Sequence, residues 1–343
     1  MADTKQIELT DGLIAATSWA TMKKIVASGI STVGDLARQT PTTLSEQSGV
    51  GEDTCEKYIS LALDMINEGY ITGEQLWDRM KNRRKLTTSS KAVDEILRSD
   101  EDRKRGVPGG IEESTTTEVS GENGSGKTQV MHQLAINAQL PAEEGGLGGK
   151  VVWIDTENTF RPDRIIQICE PRGLDGMQML RGIIYEEAYH AVHQLSIVAK
   201  LPKLCQDLEI KLVIIDSMIS HLRAEYSGRA TLATRQQLLN DILQRLGKIS
   251  QNHGLTVIYT NQIMDKPTAY GDPQKAVGGN IMGHASTLRL NIKKGRQGAR
   301  VMQVKKSPYL PENEAVFLIT ESGIHDVDGY KPSEEEKDDT END

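Results

Sequence analysis

Apolar residues along the first fifth of the chain recur at helical spacing. Residues 1–67 are short periodic segments interrupted by "SGI" (28–30) and "SGVGED" (48–53), which predicts a small all-α domain. The segment "EGYITGEQLWDRMKNRRK" (68–85) breaks the pattern, and five of its last seven residues are basic. It reads as a linker that runs into a positively charged neck. From residue 86 the period changes: "KVVWID" (150–155), "RGIIY" (181–185), "KLVIID" (211–216) and "LTVIYT" (255–260) are apolar enough to be parallel strands buried on both faces, with helical segments between them. After residue 286, the alternating "TLRLNI", "RVMQVK" and "AVFLIT" predict strands at a sheet edge. The expected fold is α/β, a mostly parallel sheet flanked by helices over residues 86–331, with any ligand at the carboxyl ends of the strands. The charged stretch "RSDEDRKRG" (98–106) reads most simply as a solvated loop.

Charge refines this picture. The chain of 343 residues carries a formal −9, but the end "EEEKDDTEND" (334–343) holds seven acids and one lysine, or −6, which leaves −3 for everything else. A nearly neutral body leaves room for local basic patches, and residues 332–343 are expected to be a disordered acidic tail. Three scattered cysteines, Cys55, Cys169 and Cys205, form neither a disulfide framework nor a metal spacing, which suits a reducing compartment. No apolar run approaches membrane-spanning length and no signal-peptide core opens the chain, so a soluble intracellular protein is expected.

Candidate chemistry begins at "GENGSGKT" (121–128), which has the form G-x-x-x-x-G-K-[ST]. Gly121, Gly124 and Gly126 let successive backbone N–H groups turn inward on an anion, and Glu122, Asn123 and Ser125 complete the loop. Lys127 is placed to reach the β- and γ-phosphates of a nucleotide, and Thr128 to occupy one position on Mg²⁺. The β-branched "STTTEVS" (114–120) before the loop and the periodic "TQVMHQLAINAQL" (128–140) after it supply the required strand and helix; a plain glycine-rich turn would share those flanks. Asp216, ending the strand of "KLVIIDS", is the candidate second Mg²⁺ contact. In "WIDTENTF", Glu157 is placed to orient water for attack on the γ-phosphoryl group, and Gln262 in "YTNQ" to sense that group. Near residue 49, Gly49 and Gly51 fit a helix-hairpin-helix that offers helix amides to a phosphate, although a glycine-capped turn between packed helices fits equally.

The set "GENGSGKTQ", "IDTENTFRPDRI", "LVIIDS", "EYSGRATLATRQQ", "TNQ", "VGGNIMGHASTLRL" and "SPYLPE", in this order behind a helical domain, resembles the RecA-type DNA strand-exchange recombinases, and among them the archaeal and eukaryotic branch. The resemblance covers roughly residues 45–325. It implies a RecA-like P-loop ATPase core that uses ATP and Mg²⁺, forms filaments on single-stranded DNA and pairs it with homologous double-stranded DNA. It further implies that Gln129 lies in the nucleotide site, that Arg164 stacks on the adenine, and that Pro311 caps the base from a neighbouring copy. Segments 222–236 and 263–284 match two DNA-binding loops, with Arg223, Arg229 and Arg235 in the first and Gly278, Gly279 and Asn280 in the second. Arginines six residues apart suit a row of phosphates read without regard to base, although ion pairs with Glu225 or Asp241 would also occupy them.

Four departures qualify the resemblance. Asn123 stands where relatives have a bulky apolar residue, and Asn158 where they have glycine, which Asn can replace at positive φ. Tyr70 and Gly73 in "YITG" fall on the F-x-x-A polymerisation motif, so the aromatic entering the next subunit carries a hydroxyl. "VKKSP" places Lys305 and Lys306 where relatives have Tyr-Asp, an acid that can hold a monovalent cation near the adjacent γ-phosphate. Lys306 is then a candidate cationic finger acting in trans. A recombinase paralogue that binds ATP as a mediator, without exchanging strands, is the alternative that these substitutions keep open, and mediator proteins are possible partners. A hexameric helicase would lack "SPYLPE" and the helical amino-terminal domain. The location expected is cytoplasmic and nucleoid-associated for an archaeal chain, nuclear for a eukaryotic one.

Overall fold

The computed structural model describes residues 9, 18–30, 32–66, 70–228, 230–265, 274–276 and 279–327. The amino-terminal part contains helices α1 (Trp19–Ala27), α2 (Val33–Ala37), α3 (Pro41–Ser48) and α4 (Glu52–Ile66). Their apolar faces close a separate core around Met22, Ile25, Leu36, Leu44, Cys55 and Ile59. Threonines 32 and 40 cap α2 and α3, and Gly49 ends α3 at φ 67°, a left-handed position for which glycine is suited. This core rests on the rest of the chain through polar contacts: Asn252 Nδ2 donates to the buried Asp35 at 2.6 Å, and Arg38 donates to Gln251 at 2.7 Å.

Between the two cores, "YITGEQLWDRM" is not a bare linker, because Thr72 and Gln75 form a capping box that starts α5 (Gly73–Met80). The basic neck is likewise corrected. Arg83 and Arg84 pair with Glu112 and Glu113, and Lys85 is buried between Glu112 at 2.9 Å and Asp102 at 3.3 Å. The charge of these three residues is therefore answered at and beside a two-stranded ribbon, β1 (Lys85–Leu86) against β2 (Ile111–Glu112), while Lys81 pairs with Asp78. Residues 98–106, expected as a solvated loop, contain α7 (Asp100–Lys104), which follows α6 (Lys91–Ile96). Ser99 caps α7 and turns Asp102 inward to Lys85. The capping box, rather than apolar periodicity, makes this helix.

The main sheet runs in the order β12-β11-β10-β9-β3-β7-β6-β4-β5. Its strands are β3 (Thr116–Gly121), β4 (Lys150–Asp155), β5 (Ile183–Glu187), β6 (Ile210–Asp216), β7 (Thr256–Asp265), β9 (Leu288–Lys294), β10 (Arg300–Lys306), β11 (Glu314–Thr320) and β12 (Gly323–Asp326). Strands β9, β3, β7, β6, β4 and β5 are parallel, and β10 to β12 extend the sheet antiparallel at one edge. The short β8 (Gln274–Ala276) pairs with the end of β7. The apolar runs are continuous because successive side chains enter opposite cores. Trp153, Ile214 and Ile258 meet α8 (Lys127–Asn137) on one face. Val152, Ile215 and Tyr259 meet α11 (Ala191–Asp207) and α13 (Leu232–His253) on the other.

Lys85 is the sole cation recorded against Asp102 among the described ion pairs, so removing it leaves the buried Asp102 carboxylate without a cation while Glu112 keeps Arg83. Lys85→Met should lower stability by about 3 kcal/mol, seen as a fall in the urea midpoint at constant slope. An unchanged midpoint would show that the pair carries no net stability.

Candidate nucleotide site

Parallel register brings the site together. Gly121 at the end of β3 lies opposite Gln262 of β7, and Asp216 at the end of β6 lies opposite Asp155 of β4. Four positions far apart in sequence thus reach the same end of the sheet. The loop that leaves β3 starts α8 at Lys127. Two of its glycines have no substitute: a Cβ on Gly121 would lie 2.5 Å from Ser125 Oγ and 2.6 Å from Ile292 O, and one on Gly126, at φ 107°, would lie 2.4 Å from Ile319 Cδ1.

A cavity of about 360 Å³ lies above this loop. It is lined by Asn123, Gly124, Gly126, Lys127, Thr128 and Gln129 from the loop and α8, and by Glu157 from the turn after β4, Asp216 from the end of β6 and Gln262 from β7. Lys127 Nζ donates to Gly121 O and Glu122 O, each at 2.9 Å. Burial pulls its ammonium below the ordinary lysine value, while Asp216 and Glu157 push it back up. Thr128 Oγ1 donates to Asp216 Oδ2 at 2.6 Å, Thr159 Oγ1 donates to the same oxygen at 3.3 Å, and Thr260 Oγ1 donates to Asp216 Oδ1. Burial holds the Asp216 carboxyl above the usual carboxylate range, with the threonine hydroxyls opposing and the nearby Glu157 and Asp155 reinforcing the rise.

A hydroxyl and a carboxylate oxygen this close are a donor set for a hard cation that fills its other positions with phosphate and water oxygens. The residues fit Mg²⁺ in that sense. Among the described residues no cluster of three His, Cys, Asp or Glu side chains stands ready for a metal, so an ion here would share its ligands with a nucleotide.

Glu157 leaves β4 through a turn knotted by Asp155, whose carboxylate accepts from the backbone N–H groups of Glu157, Thr159 and Phe160 at 2.9–3.0 Å. Asn158 takes φ 55° in that turn, the conformation expected of the glycine it replaces. Glu157 Oε1 accepts from Ser217 Oγ at 2.6 Å and from Gln262 Nε2 at 3.2 Å. A cis peptide joins Asp216 to Ser217.

Several supporting residues escaped the sequence reading. Ser217 and Thr260 are ordinary hydroxyls in sequence, and only register shows that they touch Glu157 and Asp216. His132 in α8 stacks parallel to Phe160 at 5.5 Å; its Nδ1 donates to Thr128 O and its Nε2 accepts from Arg161 N. Burial keeps it below the ordinary histidine value. Arg300 lines the cavity and donates Nε to Ser125 O at 2.9 Å, tying β10 to the loop. No short motif announced either residue.

Other predicted site residues lie outside the cavity. Arg164 in α9 (Pro162–Cys169) sits at the rim, donating to Gln129 Oε1 and to the carbonyls of Thr320 and Glu321. Pro311 is exposed, and Lys306 Nζ donates to Gly283 O at 2.5 Å and Ser286 O at 3.4 Å, at the carboxyl end of α14 (Gly279–Ala285). Segment 222–236 is largely helical, shared between α12 (Ser220–Glu225) and α13. Arg223 there donates to Gln262 Oε1 at 3.0 Å and Arg235 to Tyr226 O at 3.5 Å, while Glu225 accepts from Ala191 N. Arg229 and Gly278 lie outside the described residues, and Gly279 and Asn280 open α14. Within segment 263–284, residues 263–265 and 274–276 pair as an antiparallel ribbon, where a polar loop was expected. Tyr70 is fully exposed, and Gly73 is the first residue of α5. No described helix is long and apolar enough to cross a membrane.

The fold and site define a RecA-like α/β protein, with its residues gathered at the carboxyl ends of a mostly parallel sheet. The chain belongs to the Rad51 family, whose sequence profile matches residues 79–327. A relative described as DNA repair and recombination protein RadA, from Aeropyrum pernix, is 42% identical over 307 residues, covering 89% of this chain and 93% of the relative.

The folded Asp216 carboxyl holds its proton more tightly than an unfolded one, so its contribution to stability is largest in acid and is lost as pH rises through the folded value. Asp216→Asn removes that loss. The nucleotide-free variant should therefore melt above the parent at about pH 8, with the gap closing towards about pH 4. Differential scanning calorimetry at both values checks this, and a gap independent of pH would contradict it.

Proposed function

We propose that this chain is a DNA-dependent ATPase that assembles on single-stranded DNA, pairs it with homologous duplex and exchanges strands in recombinational repair. The observation that carries the reading is the single cavity in which the Thr128–Asp216 pair stands beside Lys127, Glu157 and Gln262. Loop N–H groups and Lys127 grip the phosphates, and Glu157 positions the water for in-line attack. Thr128 and Asp216 hold Mg²⁺, which when bound supplies positive charge against the phosphate oxygens. Arg164 offers its guanidinium plane to the adenine, and Pro311 of a second copy covers the base, so ATP is shared between copies and assembly depends on it.

The surface supports assembly in two places. Tyr70 projects fully into solvent, while beside the terminal strand β5 an apolar groove of about 500 Å³ is lined by Val152, Ile184, Ile197, Leu201 and Leu204. A ring from one copy in the groove of the next joins protomers, and the groove's rim residues Glu186, Lys203 and Asp207 offer partners for the hydroxyl. Strand β10 touches its own phosphate loop through Arg300 and ends at Lys306, beside the capping segment 307–311. Lys306, with Lys305 exposed beside it, serves the neighbouring γ-phosphate as a cation in trans. Arg223, Arg229 and Arg235, with Gly278, Gly279 and Asn280, follow the DNA, and the turn at Gly49 and Gly51 gives a helix-hairpin-helix that contacts a further phosphate.

Glu157→Gln should lower DNA-stimulated hydrolysis by about a hundredfold or more while ATP-dependent binding to single-stranded DNA persists. In a D-loop assay the unaltered chain should pair strands with ATP and no other protein. Pairing seen only when a second recombinase is added would favour the mediator reading instead. Because Lys306 supplies its own charge, hydrolysis with DNA should change less than about twofold when Na⁺ replaces K⁺; loss of activity without K⁺ would remove Lys306 from the site.

A further inference from the structure

A continuous line of hydrogen bonds joins the outer surface to the water-orienting carboxylate. Arg223 Nη1 donates to Gln262 Oε1 at 3.0 Å, Gln262 Nε2 donates to Glu157 Oε1 at 3.2 Å, and Ser217 Oγ donates to the same oxygen at 2.6 Å. Both polar ends of the Gln262 amide are thereby committed, one to a cation and one to Glu157. Turning the amide to meet a γ-phosphoryl group would break these bonds, and Glu157 Oε1 already accepts two donors. Arg223 itself is half-buried on the short helix α12, so its guanidinium reaches both the cavity side and solvent.

From this the geometry points to Arg223 as an autoinhibitory positioning residue: without DNA it holds Gln262 and, through it, Glu157 in a resting arrangement, and a DNA phosphate releases the pair by claiming the guanidinium. The inference rests on the DNA-dependent ATPase reading and adds to it the cause of the dependence. Two acceptors compete for one cation. A phosphate oxygen carries net charge and an amide oxygen does not, so the guanidinium transfers when a strand arrives. Arg235, whose recorded bond is to Tyr226 O, has no such link to the cavity among the described residues and serves as a comparison.

The test is steady-state ATP hydrolysis by the full chain with and without poly(dT), for the parent, Arg223→Ala, Arg223→Lys, Arg235→Ala and Gln262→Ala with and without Arg223→Ala. Arg223→Ala should raise the DNA-free kcat by about tenfold, the scale of one charged hydrogen bond, and bring the ratio of stimulated to basal kcat close to one. Arg223→Lys keeps a cationic donor and should stay within about threefold of the parent without DNA. Arg235→Ala should shift the poly(dT) concentration for half-stimulation. In the Gln262→Ala background Arg223→Ala should add nothing. The proposal is overturned if Arg223→Ala leaves the DNA-free rate unchanged or lowers it, or if its effect persists without Gln262. A parent whose hydrolysis ignores poly(dT) would instead overturn the underlying ATPase reading, which separates the two failures.

Discussion

The constraint on which the site depends is the parallel register at the centre of the sheet. Pairing Gly121 with Gln262 and Asp155 with Asp216, two residues apart along the strands, sets four chain positions at one end of the sheet, and the turn after β4 then carries Glu157 over Asp216. Backbone hydrogen bonds fix that register, and the two apolar cores defend it. A slip of one residue would exchange Trp153 with Val152 between faces and carry Asp216 out of line with Thr128.

Around this end of the sheet the polar groups are arranged so that nearly every charge is answered. Asp155 is buried and spends its oxygens on three backbone N–H groups, which makes it a scaffold for the turn rather than a reacting acid. Asp216 is held by three threonine hydroxyls and remains costly in its ionised form, as suits a group awaiting a cation. Lys127 rests on loop carbonyls. The contrast between Asp155, whose oxygens are taken by backbone N–H groups, and Asp216, which lines the cavity beside Thr128, distinguishes structure from chemistry in two carboxylates on adjacent strands.

The same economy governs the joint between the two halves of the chain. The sequence from 79 to 85 looks cationic, yet Arg83, Arg84 and Lys85 pair with Glu112, Glu113 and Asp102 within the fold, and Lys81 pairs with Asp78. Leu76, Trp77 and Met80 on α5 stay exposed there, alongside the exposed Glu74, Gln75, Asp78 and Arg79, with Tyr70 before them.

The order of the main strands, the glycine-rich loop between β3 and α8, and the placing of Asp216 and Glu157 at strand ends were legible in the sequence, because buried parallel strands are unbroken apolar runs and the loop has a fixed spacing; Gln262, expected just beyond its strand, lies inside β7 because that strand runs on to Asp265. The substitution of Asn158 for glycine could be judged there too, since positive φ is a local demand. What required tertiary structure were the partners. Capping boxes turned an apparent loop into α7 and an apparent linker into α5, and side chains distant in sequence answered the charges of the neck. Ser217, Thr260, His132 and Arg300 joined the site, and Arg223 reached Gln262, only through register and packing. Local sequence determines backbone preference and periodicity, whereas a hydrogen bond between residues 39 positions apart exists only once the sheet has set both ends.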